Sequence, residues 1–239
     1  MDETTKTVTF WRNARYVAGT LFVVWLAGHL ILQVVTSLRH FARGEEHTVA
    51  TYGLFYAVLL GGLTLWFREP IAAAMRRSPI PNAVWYLSVG LFYVVFEEVT
   101  CYLTNSGIWE ATDKRGVPFP WLIAGIALLY GWVIGSYVVA RFLKLGKMEI
   151  FIFTTLAGWF LEVGISRPAL VAAPHIAFAL LPWAMYTYGL FIVIPLYIIP
   201  GPNPVRAANG RWWRYVLAFI IPLACMMAVA VPAFNWAND

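Results

Sequence analysis

The chain has 239 residues, of which 61% are hydrophobic and 12% charged, with a mean hydropathy of +0.69. A soluble domain carries roughly 25% charged residues, so this composition excludes an ordinary soluble enzyme and reads as a polytopic membrane protein with the bilayer as its first partner. The net charge of +5 and pI near 9.3 come from short clusters between apolar runs, the pattern of membrane loops rather than of a nucleic-acid binder.

Residues 1–16 are polar and mixed in charge, without a signal-peptide pattern, and Trp11 and Tyr16 mark an expected interface. The first span is expected over 17–38 and contains His29 and Gln33. A polar loop, RHFARGEEHT (39–48), leads to a second span over 49–67 with a Gly61–Gly62 pair, and Arg68 stops it. The stretch from Pro70 to Pro81 is too short to cross as a helix and reads as an interfacial connector. A third span is expected over 82–104, in the run NAVWYLSVGLFYVVFEEVTCYLTNSGIW that ends at Trp109. A loop holding Glu110, Asp113, Lys114 and Arg115 follows, and Pro120 suits the first helical position of a fourth span, 120–142. The basic turn KLGK (144–147) precedes a fifth span, 149–166, which contains Glu162 and ends at Arg167–Pro168. His175 follows Pro174 at the entry to a sixth span, 176–199, and PGPNP (200–204) breaks the helix before a seventh, 213–234. The expected fold class is therefore all-α, one bundle of seven transmembrane helices in a single domain.

Orientation follows from the Lys and Arg count on each side. With seven spans, the side of the N-terminus holds twelve of the seventeen basic residues, three in the N-terminal segment and three after each of spans two, four and six. The expected arrangement is N-terminus cytoplasmic and C-terminus outside, in a bacterial or archaeal cytoplasmic membrane. Both cysteines, Cys101 and Cys225, fall inside spans without CxxC spacing, so they read as small core residues rather than a disulfide or zinc framework.

Chemistry is concentrated in the third span. An ionisable side chain within a span costs at least ~2.5 kcal/mol and is by default a functional-site candidate; this span carries two in a row, Glu97 and Glu98. At ~1.5 Å per residue they lie about two-thirds of the way outward, and Glu162 falls in the outer third of its own span. Arg167, His175 and His29 are expected in the same outer half. Glu98, Cys101, Tyr102 and Asn105 share one helical face, and Glu97, Thr100 and Thr104 a second. Glu97, Glu98 and Glu162 are thus candidate acid–base residues. Tyr102, Asn105 and Trp109, with Arg167, His175 and His29, are candidates for holding a substrate. A carboxyl in apolar surroundings retains its proton and can serve as a general acid. The bland alternatives are a structural carboxylate pair, a Glu162–Arg167 ion pair and packing histidines. No HxxxH or ExxH spacing indicates a metal site, and spans six and seven lack the lysine a retinal would need; the cofactor is left open.

The segments FEEVTCYLTNSGIW (96–109), GVPFPW (116–121) and TTLAGWFLEVGISRP (154–168) together resemble the integral-membrane carotenoid hydratases and, more distantly, the small lycopene cyclases. The likeness covers about a third of the chain. It implies protonation of an isoprenoid double bond by a membrane carboxylic acid, with Glu98 or Glu97 and Glu162 as the acid–base pair. Three function classes follow from the sequence. One is an enzyme acting on a lipid or isoprenoid from within the bilayer, with a lipid, isoprenoid or pigment as ligand. The second is a non-catalytic subunit or assembly factor of a larger membrane complex, packing through Gly61–Gly62, Gly125 and the Gly131–Gly135 GxxxG pair. The third is a proton- or cation-coupled transporter.

Overall fold

The computed structural model describes residues 3–44, 53–104, 119–161, 174–198 and 212–238, and every regular element among them is a helix. In chain order these are α1 (Glu3–Ala42), α2 (Gly53–Arg77), α3 (Asn82–Thr104), α4 (Phe119–Phe142), α5 (Lys147–Phe160), the single-turn α6 (Pro174–Ala179), α7 (Leu181–Ile198) and α8 (Trp212–Asn238). Among the described residues six helices, α1, α2, α3, α4, α7 and α8, are long and apolar enough to cross a membrane.

Several boundaries differ from the sequence expectation. Helix α1 starts well before the apolar run, because nothing from Glu3 to Tyr16 is Gly or Pro. It stops where Gly44 takes a left-handed φ of 64° and donates its N–H to Phe41 O. The expected interfacial connector 70–81 is mostly helix. Helix α2 continues through Pro70 to Arg77, and only Ser78–Pro81 turns the chain. That turn is fixed by the Ser78 hydroxyl, which donates to Met75 O (2.8 Å) and accepts from Trp85 Nε1 (2.6 Å). The first stretch of α2, Gly53–Leu60, is π-helical, a wide conformation that is rare and often found at functional sites. Helix α5 starts where the Glu149 carboxylate accepts the Gly146 N–H (2.8 Å); of the expected span 149–166, residues 162–166 lie outside the described residues. The expected sixth span is broken at Leu180, and Pro182 sits harmlessly in the first turn of α7.

Helix α7 is the hub. Nearly every residue from Pro182 to Ile198 is buried, because α1, α2, α3 and α5 all lie against it. Pairwise contacts fix the directions. Tyr56 and Ala57 of α2 meet Thr187 and Tyr186, while Arg76 meets Tyr197, so α2 and α7 run parallel. Thr64 meets Tyr93 and Tyr56 meets Phe96, so α3 runs against them. Gly90 faces Val133 and Glu98 faces Gly125, so α4 runs against α3. Helix α8 runs against α4: a Cβ on Gly131 would lie 2.7 Å from Met226 Cα, and one on Gly135 2.5 Å from Pro222 Cα. The Gly131–Gly135 pair therefore serves packing inside the chain. Gly158 against Tyr188 and Gly189 against Phe151 make α5 antiparallel to α7. The fully buried Trp132 fills the centre, edge-on to Tyr188 and Phe191. This alternation brings Arg68, Arg76, Arg77, Arg141, Lys144, Lys147 and Arg214 to one end of the bundle.

Candidate functional site

Helix α3 reaches its fifth turn between α2 and α7 on one side and α4 on the other, and there it carries the two glutamates. Glu98 is 5% exposed. Its carboxylate lies against Gly125, where a Cβ would come within 2.9 Å of Oε2. The absence of a side chain at position 125 thus gives the carboxyl its room. Glu97, one residue earlier, points elsewhere and is half-buried; its Oε1 accepts a hydrogen bond from the Cys101 thiol at 3.4 Å. Adjacent residues on a helix diverge by about 100°, so the two carboxyls occupy different surroundings.

Around Glu97 the structure assembles groups that the sequence did not single out. The Tyr56 hydroxyl donates to Thr187 O (3.3 Å), and its ring stacks on Phe96 at 6.4 Å. Tyr56 is fully buried and within electrostatic reach of Glu97, Cys101, Tyr93 and Tyr186. The Tyr186 hydroxyl donates to Ala57 O (2.7 Å), and Gly61 admits that phenol, since a Cβ there would collide with its oxygen. Thr64 and Tyr93 share a further hydrogen bond between α2 and α3. Buried polar groups need such partners, each unmade bond costing about 1–3 kcal/mol. The result is a polar layer of carboxyl, thiol and phenol beside the π-helical start of α2. A carboxyl with a phenol nearby can give a proton to, or take one from, a bound molecule. The signal that could have found these residues is Gly61, a small residue that lets a bulky polar one approach.

The remaining candidates are distributed as follows. Cys101, on the expected face with Glu98, is buried as Glu98 is. Tyr102 is half-buried and packs on the core. His29 donates from Nδ1 to Trp25 O within its own helix (3.0 Å). Trp25 in turn touches Phe178 at 5.2 Å, and His175, three residues before Phe178 on α6, is exposed. Glu162, Arg167, Asn105 and Trp109 lie outside the described residues, and with them the expected Glu162–Arg167 pairing. No three His, Cys, Asp or Glu side chains gather as metal ligands would among the described residues.

No protein family, curated protein or solved structure matches the chain in comparison with known proteins.

Proposed function

We propose that this is an integral membrane protein of seven spans whose α3 glutamates perform acid–base chemistry on a lipid or isoprenoid, with the N-terminus cytoplasmic and the C-terminus outside. The observation that carries the chemistry is Glu98: a carboxyl 5% exposed inside a helix apolar enough to cross a membrane, with Gly125 leaving space for it. Such a group is expensive to keep in a span and is retained where it has work to do. Glu98 is the proton donor in this reading, and Glu97 with Tyr56 the neighbouring acid–base pair; the likeness to the carotenoid hydratases adds Glu162, outside the described residues, as a further acid–base residue. The likeness of 96–109, 116–121 and 154–168 to carotenoid hydratases supports an isoprenoid as the substrate.

The span count is supported by direction. Helices α4 and α7 run the same way, which favours a further crossing between them, and α5, antiparallel to α7, runs in the direction such a crossing needs. The sidedness is supported by the basic end of the bundle, which the positive-inside rule assigns to the cytoplasm. A reporter active only outside the cytoplasm, fused after Asp239, is expected to be active; an inactive fusion overturns this topology.

The chemical test compares total lipid extracts, by mass spectrometry, from cells making wild type, Glu98→Gln or Glu97→Gln at matched levels of folded protein. A lipid or isoprenoid species consumed by wild type is expected to accumulate with Glu98→Gln. Identical extracts from all three sink the enzyme reading. A second reading, a subunit of a larger complex, is favoured by α1. Its Val17, Leu21, Val24, Ile31, Leu32 and Leu38 are all exposed, a face that a partner helix fits as well as lipid does. A monodisperse monomer in mild detergent counts against it; copurifying membrane subunits count for it.

A further inference from the structure

At the basic end of the bundle three cations from two helices converge on one residue of a third. The Arg68 guanidinium carbon lies 5.6 Å from the centroid of the Tyr197 ring, and Lys147 Nζ lies 4.9 Å from the same centroid. Arg76 donates to the Tyr197 carbonyl, one of the last-turn carbonyls of α7 that lack a partner within their helix. Cations at a helix C-terminus and over a phenol ring are individually favourable. Three of them together repel one another, and the described acids at this end do not balance them. Glu149 accepts from the Gly146 N–H and the Tyr215 hydroxyl. Glu69 reaches Arg68 at only 3.9 Å and its side chain is 69% exposed. Burial first, and the Arg76 charge second, lower the Lys147 pKa, with Glu69 opposing. The cluster therefore holds more positive charge than its surroundings neutralise. Each cation also keeps donors in reserve, since a guanidinium has five N–H groups and an ammonium three.

We propose that Arg68, Arg76 and Lys147, gathered around Tyr197 between α2, α5 and α7, form a binding site for a phosphate oxyanion. Its level in the molecule indicates the source. The site lies at the ends of membrane-length helices, and Trp66 (81% exposed) and Trp212 (71% exposed) are placed as interfacial tryptophans are. Basic pockets between spans on the cytoplasmic side receive anionic headgroups. The occupant is the phosphate of an anionic phospholipid, held by two guanidinium groups and an ammonium.

The test uses the full chain in a non-ionic detergent, with phosphatidylglycerol, phosphatidylcholine and inorganic phosphate as probes and bound lipid counted by native mass spectrometry. Phosphatidylglycerol is expected to bind more tightly than phosphatidylcholine. Arg68→Gln and Lys147→Gln are each expected to weaken phosphatidylglycerol about fivefold, the usual effect of one basic residue beside an anionic headgroup. Arg141→Gln, exposed at the same end but outside the cluster, leaves it unchanged. Glu69→Gln, a surface change with little bearing on folding, tightens binding by removing the competing carboxylate. Equal affinity for the two lipids overturns the proposal, as does an affinity unmoved by Arg68→Gln and Lys147→Gln. Should those two variants fail to fold, an unchanged affinity in Glu69→Gln overturns it instead. Displacement of the lipid by inorganic phosphate would make the occupant a free phosphate at the same site; no displacement makes it the lipid headgroup.

Discussion

Glu98 and Gly125 depend on each other. Adding one methyl group at position 125 places it 2.9 Å from the carboxylate, and overpacking of this kind costs about 1–3 kcal/mol. Gly125→Ala should therefore lower the unfolding temperature in detergent, and Glu98→Ala in the same chain should recover part of the loss; additive effects would show that the two do not touch. Burying a carboxyl costs free energy that an apolar residue of similar volume does not incur. Glu98→Met is thus expected to unfold at the same temperature as wild type or higher while abolishing the lipid change assigned to Glu98. A marked loss of stability would instead give Glu98 a structural role. Both glutamates were legible in the sequence because a charge contrasts with an apolar run. Tyr56, Tyr93, Tyr186 and Thr64 were not. Tyrosine is common in this chain, with twelve in all, and their bonds join positions as much as 129 and 131 residues apart, which no local pattern encodes.

Among the elements, neighbouring glycines do different work. A Cβ at Gly61 would meet the Tyr186 hydroxyl, whereas nothing lies within 4 Å of one at Gly62. Gly62→Ala should be neutral or stabilise by up to about 1 kcal/mol through helix propensity, and Gly61→Ala should destabilise; thermal unfolding of the two variants checks the contrast. Between α4 and α8, Gly135→Val would drive a side chain into the backbone at Pro222, with a larger loss than either. The spacing of Gly131 and Gly135 announced close packing, but not which helix would fill the gap, because that choice depends on the directions of all the others. Helix boundaries were legible where a proline opens an element, as at Pro120 beside the start of α4, whereas α1 runs past the expected end at residue 38 to Ala42. They were misjudged at Pro70, where a proline is carried inside α2, and the π-helical turns of Gly53–Leu60 leave no mark in an apolar stretch such as GLFYAVLL.

For the molecule as a whole, the alternation of helices from α2 onward sorts charge, gathering the described arginines and lysines of α2, α4, α5 and α8 at one end. Single cysteines introduced by Arg77→Cys and Lys144→Cys, with Cys101 and Cys225 replaced by alanine, should react with an impermeant maleimide from the same face of a sealed vesicle. Labelling from opposite faces would refute the alternation. The span-by-span count of basic residues made this sorting legible, whereas the central place of α7 was not, since its hydrophobicity resembles that of its neighbours. That place has a consequence for how the protein is made. Helices α2, α3 and α5 all pack on α7, yet α7 leaves the ribosome after them. At roughly 5–20 residues per second, the interval between the emergence of Arg77 and that of Ile198 is on the order of ten seconds. Until α7 arrives, the face of α2 with Tyr56, and then those of α3 and α5 as they emerge in turn, lie open in the membrane. Translation halted before Ile198 leaves a set of spans without their keystone, a fragment that the cell's membrane quality control can recognise by those uncovered hydroxyls and carboxyls.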